Sequence, residues 1–159
     1  MCAMMTITQR GSEDTRPQAG LILKVPDRAR ILIVCDNDSD TEGLKTVLRE
    51  AGLASESTNS ITAGCEAAKS GKFQVVFSTP LVADGPWMRL IEVAQHYDLS
   101  FEIVLLARSF SLGQWAEALQ VGAFDVLDVV CDLPKAAEAA QRAVGAAHLR
   151  RFRSRPEQD

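Results

Sequence analysis

The chain has 159 residues, with 17 Lys and Arg against 21 Asp and Glu and a formal net charge of -4. That length allows about one domain with one sizeable core, and the charge balance disfavours a role dominated by nucleic acid. Four cysteines (Cys2, Cys35, Cys65, Cys131) share no short metal-ligand spacing, and the only histidines are His96 and His148. A zinc site and a secreted disulfide framework are both disfavoured. No run reaches the roughly 18 apolar residues that span a bilayer. The N-terminus lacks an apolar signal core, so the expected location is cytoplasmic, with no membrane partner.

Residues 1–28 are polar, contain Pro17 and Gly20, and lack sustained periodicity, which predicts a flexible leader. Within it, Leu21-Ile22-Leu23 is the triplet suited to packing on the domain or adding a short strand. The domain itself is expected over 29–150. Its first strand, about 30–35, is the apolar run Ile31-Leu32-Ile33-Val34 ending in Cys35-Asp36, too short for a globular helix and long enough for a buried strand. Asp38 or Ser39 is the expected cap of the next helix, Ser39 with Glu42 fitting a capping box. Leu44, Val47 and Leu48 give that helix its apolar face, and Gly52 ends it.

Residues 53–58 make a thin second strand suited to a sheet edge, because little of it is apolar. A helix over about 60–70 presents Ile61, Cys65 and Ala68 and stops at Gly71. The third strand is expected over 73–78, and Gly85-Pro86-Trp87 at the start of the third helix, where proline is tolerated. Leu90, Ile91 and Ala94 form that helix's inner side. The fourth strand, 101–107, reads as buried on both faces. A helix over about 111–121, with Ala116 and Leu119 toward the sheet, ends at Gly122, and a fifth strand covers 124–130. Asp132 is the expected cap of a last helix running from about 133 to 150, with Ala137, Ala140, Val144 and Ala147 inside. A basic tail, 151–159, follows.

Five strand–helix repeats with short connections predict an α/β three-layer sandwich around a five-stranded parallel sheet. In such sheets chemistry collects at the carboxyl ends of the strands. The turn after strand one carries Asp36, Asp38 and Asp40 where a nucleotide phosphate would need bare amides, which argues against a flavin or dinucleotide cofactor.

The run ILIVCDND of strand one, the Asp-Gly of 84–85 and the GAFDVL of 122–127, in that order and spacing, resemble the receiver domain of bacterial two-component response regulators. The resemblance covers about 30–150 and implies the flavodoxin-like, CheY-like sheet of order 2-1-3-4-5. Receivers are phosphorylated on an aspartate ending strand three, beside an acidic pair that holds magnesium. A hydroxyl residue ends strand four, a lysine followed by proline ends strand five, and an aromatic lies within strand five. Carried over position by position, the acidic pair falls on Cys35 and Asp36 and the acceptor on Thr79 (or Ser78). The hydroxyl falls on Ala107, the lysine on Val129, the proline on Val130 and the aromatic on Val126.

The chemistry of those replacements predicts a degenerate pocket. Transfer from phosphohistidine needs a carboxylate nucleophile and a cation on the moving phosphoryl group. Magnesium wants oxygen ligands, and Cys35 is soft. No cofactor is therefore expected, with Asp36 as a vestigial metal ligand at most. Without the lysine–proline bond, a cis Val129–Val130 peptide would cost about 2.5–4 kcal/mol, so a trans bond and a reshaped loop are expected.

Cys35 and Cys131 are expected as buried, inert thiols, since three strand spacings of ~4.8 Å put them ~14 Å apart, beyond disulfide reach. Trp87 is expected to pack at the start of helix three and shield the pocket. Trp115 is expected to be partly exposed on the face of helix four, strand five and helix five, the usual partner or dimer surface of receivers, with Val126 beside it. These expectations describe a phosphorylation-incompetent receiver-like protein in phosphorelay-type signalling, binding a signalling protein or itself. Two alternatives are a small α/β enzyme with a repurposed pocket using Cys35, Asp36 and Thr79, and a nucleic-acid module using the arginines from Arg150 onward. The first lacks a histidine base at a strand end; the second has the ordinary reading of cations suiting a helix end.

Overall fold

The computed structural model describes residues 30–108 and 111–157, with side chains described to Arg150. The expected leader, including Leu21-Ile22-Leu23, lies outside the described residues. Strands β1 (Arg30–Val34), β2 (Ala54–Thr58), β3 (Val75–Ser78), β4 (Glu102–Ala107) and β5 (Asp125–Asp128) alternate with helices α1 (Asp38–Glu50), α2 (Ile61–Ala68), α3 (Met88–His96), α4 (Leu112–Val121) and α5 (Ala136–Glu157). The strands form one sheet of order β2-β1-β3-β4-β5, every pair parallel. This is the expected order and the expected flavodoxin-like, CheY-like α/β sandwich.

Alternation along the buried strands builds two cores. Ile31, Ile33, Val75, Phe77, Val104 and Leu106 face α1 and α5. Leu32, Val34, Val76, Ile103, Leu105 and Val126 face α2, α3 and α4. β3 is buried at every position and β4 at all but its last, as central parallel strands are. β2 is half exposed, as suits an edge. Gly52 and Gly71 follow α1 and α2 with φ of +80° and +77°, values a side chain would resist.

Local chemistry departs from expectation at several ends. Asn37, not Asp38 or Ser39, caps α1, its side chain accepting from the Asp40 amide at 2.9 Å. Ser60 caps α2, and Ser111 with Gln114 makes a reciprocal capping box on α4. Gly85-Pro86 does not enter α3: it pairs antiparallel with Leu81-Val82 in a small hairpin, and Trp87 precedes the helix. Asp132 occupies the N-cap position of a 3-10 turn, but its side chain makes no capping bond. Its carboxylate accepts from the Asp128 amide at 3.1 Å, a 3-10 turn at Leu133–Lys135 follows, and α5 starts at Ala136.

α5 lies on the sheet through Ala136, Ala139, Ala140, Ala143, Val144 and Ala147, while Ala137 sits at the margin. The small side chains let the helix approach closely. It then runs on to Glu157, past the expected end near 150. α4 is the loosest layer: Ala118 is its buried residue, Leu119 is partly buried, and Ala116 is exposed instead of facing the sheet. No helix among the described residues is long and apolar enough to cross a membrane.

Candidate functional site at the strand ends

The sheet ladder continues one residue past several strands. The Cys35 amide donates to the Thr58 carbonyl, Thr79 to Val34 and Val129 to Ala107, at 3.1, 3.2 and 2.9 Å. Positions 35, 79, 107 and 129 therefore stand side by side at the carboxyl edge. Their side chains do not all share one pocket. Cys35 and Val129 are buried in the core under α1 and α5, whereas Ala107 lines a groove on the opposite face with Pro80, Trp87, Leu105, Ala118 and Val121.

Cys35 is 3% exposed, and its thiol donates to the Asn37 carbonyl at 3.6 Å. A thiol so enclosed is a packing group. Asp36 is exposed and beside it in sequence only. Ser78 is fully buried and its hydroxyl donates to the Thr79 carbonyl at 2.8 Å. The Thr79 hydroxyl oxygen is itself buried and has no hydrogen-bond partner in the structure, so it is neither exposed to a donor nor activated by a base. Cys131, in contrast to the expected burial, is exposed, and Cys35, Cys65 and Cys131 are all free thiols.

The loop after β5 is reshaped without a cis bond; every described peptide is trans. Asp128 organises it, accepting from the Val130 amide at 2.8 Å and the Cys131 amide at 3.4 Å. Val130 consequently projects into solvent at 65% exposure while Val129 turns inward.

The charge at this end comes from a residue the sequence reading overlooked. Arg108, directly after β4, donates from one guanidinium nitrogen to both carboxylate oxygens of Asp40, at 2.8 and 3.0 Å. Asp40 is the more enclosed partner, its side chain 17% exposed against 59% for Arg108. The pair spans 68 positions of chain, so no local pattern announces it. The resemblance implies magnesium here, and the residues present do not fit it. Asp40 is committed to a guanidinium, Cys35 is soft and buried, and Asp36 alone is a single exposed carboxylate. Among the described residues no group of three or more His, Cys, Asp or Glu is placed to hold a metal ion.

Asp84, quoted above as part of a motif, has a definite task. Its two oxygens accept from the Ile61 and Thr62 amides at 2.7 and 3.1 Å, tying the hairpin to the start of α2. The Ile61 amide foremost, then the Thr62 side chain, lowers its pKa to about 2, because hydrogen bonds to the carboxylate favour the charged form.

On the α4 side, Trp87 is 6% exposed and forms one wall of the groove, as expected of a shielding residue. The groove holds about 270 Å³. Elsewhere on α4, Trp115 is 41% and Leu112 81% exposed. Val126 is buried beneath α4 and lies outside this exposed surface.

No protein-family model and no curated protein sequence matches the chain. Solved structures do. The signal receiver domain of an HD domain-containing protein from Pseudomonas fluorescens superposes with a TM-score of 0.70 at 21% identity, covering 82% of this chain and 96% of that one. A two-component response regulator from Clostridium difficile gives 0.63 at 22%, covering 78% and 98%. The signal receiver domain of a signal transduction histidine kinase from Syntrophus aciditrophicus gives 0.63 at 22%, covering 73% and 89%. The fold is that of receiver domains.

Proposed function

We propose that this receiver-fold chain is a signalling module that works through protein contacts and is not phosphorylated on an aspartate at its strand ends. One observation carries the reading: the carboxyl edge of the sheet offers a buried thiol, a buried hydroxyl and an alanine, and the part-buried carboxylate of Asp40 is already paired with Arg108. No nucleophilic carboxylate stands at position 79, and the cation at hand is spent on an internal pair. Phosphoryl transfer depends on positioning and charge neutralisation, and neither is available in the family's form.

The α4 side is the contact surface in this reading. Trp115 and Leu112 of α4 are exposed, the same helix lines a groove with Gln114, Glu117, Ala118 and Val121, and exposed aromatic residues are favoured binding anchors. The partner is a signalling protein or a second copy of this chain. The enzyme alternative loses support from the burial of Cys35 and the absence of a base beside it. The nucleic-acid alternative loses Arg150, which is committed elsewhere in the fold.

The test is incubation of the full chain with magnesium and a small acyl-phosphate donor, followed by intact-mass measurement. The expected spectrum is unchanged. A hydroxylamine-labile phosphate adduct would overturn the reading.

A further inference from the structure

α4 is a surface helix almost free of charge. Every residue from Leu112 to Val121 except Ala118 and Leu119 is exposed, yet Glu117 is the only charged one. A solvated helix face ordinarily carries charges of both signs. The positions that could pair with Glu117 along the helix are Gly113, Gln114, Gln120 and Val121, and none is basic. Among the described residues Glu117 has no hydrogen bond and no ion pair.

That carboxylate lines the groove of about 270 Å³ between the start of α3, β4 and α4. It is the one charged residue there. The other surfaces are mainly apolar: Trp87 and Met88 from the α3 side, Leu105 and Ala107 from β4, Ala118 and Val121 from α4. Gln114 also lines the groove, but its side-chain carbonyl already accepts from the Ser111 amide at 3.1 Å. Glu117 is therefore the side-chain acceptor left uncommitted. The walls are set before any ligand arrives. Trp87 is 6% and Leu105 1% exposed, and the Trp87 amide donates to the Pro80 carbonyl at 3.0 Å, so little ordering is left for binding to supply.

We propose that this groove receives a basic side chain from an apolar segment of a partner protein, its aliphatic stem along the apolar walls and its cationic head at Glu117. Lysine and arginine have that build, an apolar stem carrying a charged tip. The occupant is a different protein rather than a second copy, because the formal net charge of -4 sets two copies against each other and draws a basic partner in. The inference rests on the proposal that the α4 side is the contact surface, and it adds what that surface recognises.

Amide chemical shifts of the full chain test this with three capped peptides at millimolar concentration: Leu-Lys-Leu, Leu-norleucine-Leu and Leu-Glu-Leu. The lysine peptide is expected to shift Trp87, Leu105, Ala107 and Glu117. Glu117→Gln, a change at an exposed helical position, is expected to weaken it about fivefold, the scale of one solvent-accessible ion pair. The norleucine peptide should bind wild type and variant alike, and the glutamate peptide should bind wild type most weakly. Groove shifts of equal strength from all three peptides would keep the contact surface and overturn the basic side chain. Shifts on another face, or none, would overturn both. Groove shifts that grow with protein concentration in the absence of peptide would assign the groove to a second copy and overturn the proposal.

Discussion

The two ends of the sheet are each crossed by an arginine–carboxylate pair, and the pairs differ in what surrounds the acid. At the carboxyl end, Asp40 keeps 17% of its side chain exposed and Arg108 59%; at the amino end, Glu102 keeps 6% and Arg150 56%. The arginines are alike, so the difference lies with the carboxylates. Asp40 can exchange Arg108 for water at little cost, because exposed pairs contribute only about 0–1 kcal/mol. Glu102 has no such exchange, and removing its cation strands a charge in a poorly polarisable setting. An acid's enclosure, not the bond length, decides which pair holds structure and which merely occupies a site.

Arg150→Ala gives the largest expected effect among these tests. Loss of a partner from a fully buried pair costs ~3–5 kcal/mol; with Arg150 half exposed, about 2 kcal/mol is expected. For a domain of this size that lowers Tm by ~4–8 °C, readable by thermal unfolding. A change below one degree would place the two pairs on the same footing and remove the contrast.

Gly64→Ala probes how tightly the carboxyl end is built. A Cβ there would stand 2.7 Å from a Val34 methyl, and Val34, fully buried at the end of β1, is β-branched and stiff. Overpacking costs ~1–3 kcal/mol, so a loss of about 1–2 kcal/mol in urea unfolding is expected. A neutral substitution would mean this end is looser than its burial indicates.

Arg108→Ala is expected to cost less than ~1 kcal/mol, and magnesium up to millimolar levels should leave its stability unchanged. Magnesium-dependent stabilisation of this variant alone would show that Arg108 had been standing in for a divalent ion.

The sequence made the framework legible because it is written in short-range pattern. Ile31 to Val34, Phe77 and Leu105 are apolar runs of strand length, and Gly52, Gly71 and Gly122 mark helix ends. Strand order followed from the resemblance, and positions 35, 79, 107 and 129 are neighbours at one edge of the sheet. Their division between two faces of the sheet was not read, although alternation along each strand contains it. Both ion pairs were missed for a physical reason: 68 residues separate Asp40 from Arg108, and 48 separate Glu102 from Arg150. A signal existed for the second pair. A lone glutamate at the head of a buried strand needs a cation somewhere, and Arg150 lay one helical turn past the alanine stripe. Asn37 caps α1 although the more familiar capping patterns, Asp38 and Ser39 with Glu42, lie directly after it.

The smallest expected effects are in pH dependence, where two carboxylates have opposite signs. Asp84 is held at about 2 against an ordinary 3.8, so its contribution to stability is full above pH 3.8 and is lost as pH falls toward 2. Glu102 is shifted upward from 4.5, burial outweighing the opposing pull of Arg150. The folded state therefore favours its protonated form, and its contribution is full below 4.5 and lost as pH rises through the raised value. Denaturation midpoints measured across pH separate the two. Asp84→Asn should flatten the acid limb below pH 4 and leave higher pH unaffected. Glu102→Gln should leave that limb in place and remove the slope just above pH 4.5. If Glu102→Gln left the profile above 4.5 unchanged, the carboxylate would be titrating as though in water, and the enclosure that distinguishes the amino end from the carboxyl end would not extend to its energetics.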